Sequence, residues 1–101
     1  MKILWSDFAK LMLYEIYLYH KENASVRIAQ KIKKNILNST AYLLNHPEMG
    51  KLEPLLLFLN EGHRYIVEGN YKIIYKQVKE GILITDIFDT RQNPTKINRN
   101  P

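Results

Sequence analysis

The sequence predicts an α+β fold, in which an N-terminal strand and an αα-hairpin pack on a small antiparallel sheet. Three observations carry this. The first half has apolar residues at helical spacing, interrupted once by a polar stretch. From Gly62 onward the pattern changes to short strands punctuated by glycine. The length of 101 residues leaves room for one hydrophobic core, which both halves must share. The chain is therefore read as a single domain over 1–101, with a polar C-terminal tail from about residue 93 that is expected to be partly mobile.

Met1 to Trp5 reads as a short first strand. Ser6 stands where a helix N-cap belongs and Asp7 faces the helix dipole, so a helix is expected from Asp7 to Tyr19 or His20. Phe8, Ala9, Leu11, Met12, Leu13, Tyr14, Ile16, Tyr17, Leu18 and Tyr19 give this helix more apolar surface than one core-facing stripe uses. Either it is sandwiched, or part of that surface awaits another chain. His20-Lys21-Glu22-Asn23 breaks the pattern, and Ala24-Ser25 opens a second helix. Ile28, Ile32, Ile36 and Leu43 recur there near helical spacing, with Ser39 completing the row, while Arg27, Gln30, Lys31, Lys34 and Asn38 give it a basic outer side. The segment Asn45 to Gly50 ends that helix, since Pro47 cannot continue the hydrogen-bond ladder.

Within residues 51–61 the run Leu55 to Leu59 fits a buried strand or a helical turn, and periodicity does not separate them. His63 to Glu68 and Tyr71 to Gln77 then form a hairpin around Gly69-Asn70, where glycine at the first loop position suits the positive φ of a type II′ turn. That register sets Arg64 opposite Tyr75, Ile66 opposite Ile73 and Glu68 opposite Tyr71, with Tyr65–Ile74 and Val67–Lys72 on the other face. Lys79-Glu80-Gly81 turns into a strand from Ile82 to about Phe88, and Asp89 to Pro94 leaves the sheet. One helical layer covers one face of these strands. The other face is expected to present mixed aromatic, aliphatic and basic groups to a second partner.

Composition narrows the functional classes. The chain has no cysteine, which excludes a disulfide framework, a thiolate zinc site and a cysteine nucleophile, and fits a reducing compartment. Its three histidines, His20, His46 and His63, lack metal-ligand spacing, so neither metal nor cofactor is expected. The apolar start is too short for a signal-peptide core and no apolar run would span a bilayer, so a cytoplasmic protein without a membrane partner is expected. The net charge of +5 favours an anionic partner, whether nucleic acid, ribosome or acidic protein.

Three segments together resemble the RelE/ParE superfamily of type II toxins. Trp5-Ser6-Asp7-Phe8-Ala9 with Ile16 and Tyr19 is similar to that family's first helix. Arg64-Tyr65-Ile66-Val67-Glu68-Gly69-Asn70-Tyr71-Lys72-Ile73-Ile74-Tyr75 is similar to its central hairpin, and Ile84-Thr85-Asp86-Ile87-Phe88-Asp89-Thr90-Arg91 to its last strand and exit. The resemblance implies a growth-inhibiting toxin neutralised by a separate antitoxin, in a toxin–antitoxin hetero-oligomer. The antitoxin would seat on the over-apolar first helix, through Leu11, Tyr14 and Leu18.

The superfamily contains two mechanisms. RelE-like members cleave messenger RNA on the ribosome, using the RNA's 2′-hydroxyl as nucleophile; ParE-like members lack that site and are associated with poisoning of DNA gyrase. Cleavage needs a base, cations for the transition state and an acid for the leaving oxygen. Arg64, Lys72 and Arg91 are candidate cations, and Tyr75 or His63 candidate proton carriers; a nuclease site would be drawn from Arg64, Tyr75 and Arg91. The hairpin register separates Lys72 from Arg64 and Tyr75. Phe88-Asp89-Thr90-Arg91 supplies neither a histidine nor a tyrosine, and Asp89 would repel a phosphate. The expectation is therefore a ParE-like binder with no confident catalytic residue, contacting its target through Arg64, Lys72, Tyr75, Arg91 and Gln92. A ribosome-dependent endoribonuclease is the alternative. The bland readings are a cross-strand pair for Arg64 and Tyr75, and a turn anchor for Arg91 on Asp86 or Asp89.

Overall fold

The computed structural model describes residues 1–91; the expectations for Gln92 and for the polar tail lie outside the described residues. Strand β1 (Lys2–Trp5) leads into helices α1 (Asp7–Asn23) and α2 (Val26–Tyr42). A two-residue strand β2 (Lys51–Leu52) and a 3₁₀ turn (Pro54–Leu59) follow, and then strands β3 (Arg64–Glu68), β4 (Tyr71–Val78) and β5 (Gly81–Asp89). The sheet order is β1-β5-β4-β3-β2, with β1 parallel to β5 and the other pairs antiparallel. This is the expected α+β architecture. Among the described residues no helix is long and apolar enough to cross a membrane.

Local chemistry accounts for the helix boundaries. Ser6 Oγ accepts from the Ala9 N–H and Ser25 Oγ from the Ile28 N–H, capping α1 and α2. The first helix runs one turn past His20. Nothing at 20–23 breaks a helix, and the N–H groups of Ala24 and Ser25 close it by donating to the His20 carbonyl. In α2 the row that meets the core is Ala29, Ile36, Thr40 and Leu43, with Ile32 partly buried. Ile28, expected in that row, is 46% exposed; the small Ala29 takes the inner position where α2 lies close to its neighbours.

The hairpin has the register read from the sequence, and Gly69 carries the positive φ of 59° that the turn requires. One feature of the sheet departs from simple alternation. Ile74 pairs with Asp86 but Tyr75 with Ile84, so Thr85 is an extra residue on β5. This bulge switches the alternation of β5: Ile82, Ile84 and Ile87 all face the helical layer, and Asp86 turns to the face of Ile74. That second face is partly covered. The ambiguous run 55–59 is a helical turn, and its Leu56 packs on Ile74 with Tyr65 and Leu59 alongside.

The segment between α2 and β2 is tied down from below. Tyr75 is fully buried, and its hydroxyl donates to the Pro47 carbonyl (2.9 Å) while accepting from the Gly50 N–H (2.9 Å). Arg64, opposite Tyr75 in the register, donates to the Gly50 carbonyl at 2.8 Å. Gly50 admits no side chain here, because a Cβ would stand 2.5 Å from the Tyr65 carbonyl oxygen and 2.7 Å from the Tyr75 hydroxyl. Tyr75→Phe would orphan the buried Gly50 N–H and remove the partner of the part-buried Pro47 C=O, so a loss of about 1–3 kcal/mol is expected in urea unfolding. Gly50→Ala should cost more, since its Cβ displaces backbone; a midpoint at the wild-type value for both variants would show that the loop is held by something else.

Candidate functional site

The first helix has two apolar sides. Ala9 is buried and Met12, Leu13 and Ile16 pack against the core. On another side of the helix, Leu11 (49% exposed) and Tyr14 (58% exposed) stand in solvent, with Leu18 half-buried behind them at the i, i+3, i+7 spacing of one helical row. Beside this row lies an open groove of about 370 Å³, lined by Trp5, Lys10, Leu13, Tyr14, Tyr17, Lys33 and Leu37. Its floor is aromatic and aliphatic, and two ammonium groups border it. Lys33 Nζ lies 5.8 Å from the centre of the Tyr17 ring, within the outer range of a cation–π contact. An apolar trough with cations at its margin suits an amphipathic segment carrying carboxylates.

The cations and hydroxyl singled out in the sequence do not form one constellation. Arg64 and Tyr75 do meet, but through Gly50: Arg64 donates to its carbonyl, and the Tyr75 hydroxyl accepts from its N–H and donates to the Pro47 carbonyl, with Tyr75 fully buried. Burial raises the Tyr75 pKa, against a smaller lowering by the Gly50 hydrogen bond and by Arg64, so the phenol stays protonated. The hydroxyl spends one donated and one accepted hydrogen bond inside the fold. Lys72 is on the opposite face, as the register required. Its ammonium pairs with the buried Glu53 carboxylate at 2.8 Å and sits 4.2 Å from the centre of the Tyr65 ring. Arg91 grips Asp89 through two side-chain bonds of 3.0 and 2.8 Å, and its own N–H donates to the same carboxylate. The arginine hydrogen bond lowers the Asp89 pKa. Asp89, the residue that Arg91 grips, pairs with Tyr71, four residues of strand and about 13 Å from Tyr75.

Sequence reasoning missed three groups. Glu53 is buried: Oε1 caps the 3₁₀ turn by accepting from the Leu55 N–H, while Oε2 meets Lys72. The only hint was its place one residue before Pro54. His20 Nε2 lies 2.7 Å from the Tyr71 hydroxyl, a pairing of α1 with β4 between residues 51 apart along the chain. His63, a candidate proton carrier in the sequence, is unexpectedly buried; among the described residues its Nδ1 has no hydrogen-bond partner, and Nε2 lies 3.9 Å from Glu61. Among the described residues no group of His, Asp and Glu is placed to hold a metal ion.

Burial, reinforced by Lys76 and opposed by Glu61, lowers the His63 pKa from 6.5. The unfolded chain therefore takes the proton first. Stability is complete above pH 6.5 and is lost as pH falls from there through the lower folded-state value. Urea midpoints measured between about pH 7 and 5 should decline in the wild type and flatten in His63→Leu. Equal slopes in the two proteins would refute the assignment.

The comparisons with known proteins agree with this architecture. A structure described as the chromosomal ParDE TA system from P. aeruginosa superposes with a TM-score of 0.74 at 18% identity, covering 90% of this chain and 97% of that one. No curated protein matches the sequence. The family model described as the ParE toxin of the type II toxin–antitoxin system parDE matches residues 3–94, which is nearly the whole chain, and the protein belongs to that family.

Proposed function

We propose that the chain inhibits growth by binding a topoisomerase such as DNA gyrase, without catalysing a reaction itself, and that a cognate antitoxin neutralises it by seating on α1. The observation that carries the antitoxin site is the second apolar side of α1. Leu11, Tyr14 and Leu18 have no use in the toxin's own core, and the adjoining groove adds Trp5, Leu13 and Leu37 under Lys10 and Lys33. An amphipathic antitoxin segment would bury both, contributing stability to the toxin as it silences it. Family membership supports the toxin reading. Of the target-contact candidates, Arg91 is the most exposed and Lys72 is largely covered by its pair with Glu53, whereas Arg64 and Tyr75 hold the Pro47–Gly50 loop. The alternative, messenger RNA cleavage, would need a proton carrier that Tyr75 does not provide.

Two measurements test this reading. On induced expression in a bacterial host, incorporation of DNA precursors should fall within minutes, ahead of protein synthesis. Early loss of translation with cut messages would replace the proposal with the nuclease reading. The double variant Leu11→Glu, Tyr14→Glu should remain folded, because both side chains are exposed. It should bind the antitoxin tenfold or more weakly, about 1.4 kcal/mol, and escape neutralisation on co-expression. Full silencing of that variant would place the antitoxin elsewhere.

A further inference from the structure

We infer that the outer side of α2 is a contact surface for the phosphate backbone of duplex DNA. Between Glu22 and Glu48 the sequence has no carboxylate at all, yet it carries Arg27, Lys31, Lys33 and Lys34. At 100° per residue, Arg27, Lys31, Lys34 and Asn38 fall within roughly 60° of one another around the helix, forming one straight row. All four are exposed, as are Gln30 and Asn35 beside them, while the opposite side of the helix is the one that meets the core. Lys33 belongs instead to the α1 groove. Among the described residues none of the three cations of the row takes part in an ion pair.

Helix stability does not account for the row. Arg27 stands in the first turn and Lys31 in the N-terminal half, where the helix dipole disfavours positive charge. The cations are held at fixed spacing on a rigid element, and like charges at i, i+4 and i, i+3 repel unless an anion lies across them. From Arg27 to Lys34 the helix rises about 10 Å. One strand of a duplex presents a phosphate per roughly 3.4 Å of axis, so three cations match about three phosphates, and the flanking amides of Gln30 and Asn38 can donate to further phosphate oxygens.

A single strand fits less well. Base stacking needs free aromatic faces along the track, and the row has none. Tyr42, near its C-terminal end, already has one face stacked on His46, with centroids 4.1 Å apart and planes 6° from parallel. Acidic protein is the other class of anion the row would attract, but the groove at the row's C-terminal end has a mixed lining that includes Asn35, Asn38 and the Glu68 carboxylate, unlike the apolar α1 groove suited to a folded segment.

The test is fluorescence anisotropy of the full chain with a short duplex of arbitrary sequence, without topoisomerase or antitoxin. Its result is therefore independent of the proposed function, and growth inhibition is independent of it. With three contacts, wild-type affinity should fall about 40-fold between about 50 and 200 mM salt. Arg27→Gln, Lys31→Gln, Lys34→Gln should bind at least tenfold more weakly at the lower salt and lose most of that salt dependence. The charge-matched variant Lys2→Gln, Lys51→Gln, Lys79→Gln, altered at exposed positions elsewhere, should stay within about threefold of wild type. Circular dichroism and thermal melts confirm that each variant is folded. The inference is overturned if both variants lose affinity equally, if the α2 variant keeps its salt dependence, or if a single strand binds as tightly as the duplex. It is also overturned if the α2 variant loses antitoxin binding while its duplex affinity is unchanged.

Discussion

Tyr75 lies at zero exposure in the middle of β4, with its hydroxyl inside the fold. A buried hydroxyl left without partners is costly, and the sheet itself has none to spare for it. The partners come from the chain leaving α2: the Pro47 carbonyl and the Gly50 N–H. Arg64, opposite Tyr75, then satisfies the carbonyl of the same glycine. Much of the rest follows from this knot. With Gly50 pinned, the next two residues run beside β3 as the edge strand β2. Glu53 is delivered over Lys72, and the 3₁₀ turn is laid so that Leu56 covers Ile74. The helical layer and the cover on the second face are thus joined through one side chain.

The same economy accounts for where the polar groups of the hairpin are spent. Arg64 and Tyr75 have the residue types that a phosphodiester-cleaving site would use, but their polar atoms are committed to the loop. Lys72 is committed to Glu53, and Arg91 to Asp89. An ion pair as exposed as Arg91–Asp89 contributes little to stability, whereas Glu53 would be a stranded charge without Lys72. What the fold leaves uncommitted is different in kind. It leaves an apolar row and groove on α1 and a cationic row on α2.

These two surfaces separate by physical character. Apolar area lost from water, with two bordering ammonium groups, suits a partner that folds against the toxin and stays there. A row of exposed cations without apolar support gives fast, salt-sensitive attraction and little residence time. Placing the two surfaces on different helices lets one be covered without altering the other's geometry.

The sequence by itself determined the α+β class, the αα-hairpin, the hairpin register and the surplus of apolar residues on α1. Each is written in local chemistry: Ser6 and Ser25 as caps, Gly69 for a positive φ, and alternation on either side of it. It also showed that Lys72 and Tyr75 face opposite ways, because side chains on a strand alternate. Three things were decided only by tertiary structure. The pairing of His20 with Tyr71 joins α1 to β4 across 51 residues of chain. The bulge at Thr85 turns Ile87 to the helical layer and the buried Asp86 to the opposite face, which strict alternation from Ile82 would have reversed. The partners of Tyr75, Arg64 and Lys72 lie 28, 14 and 19 residues away along the chain, in segments that carry no periodic signal of their own. Long-range polar satisfaction leaves no local pattern to read, so it emerges only when the loop and the strand are brought into contact.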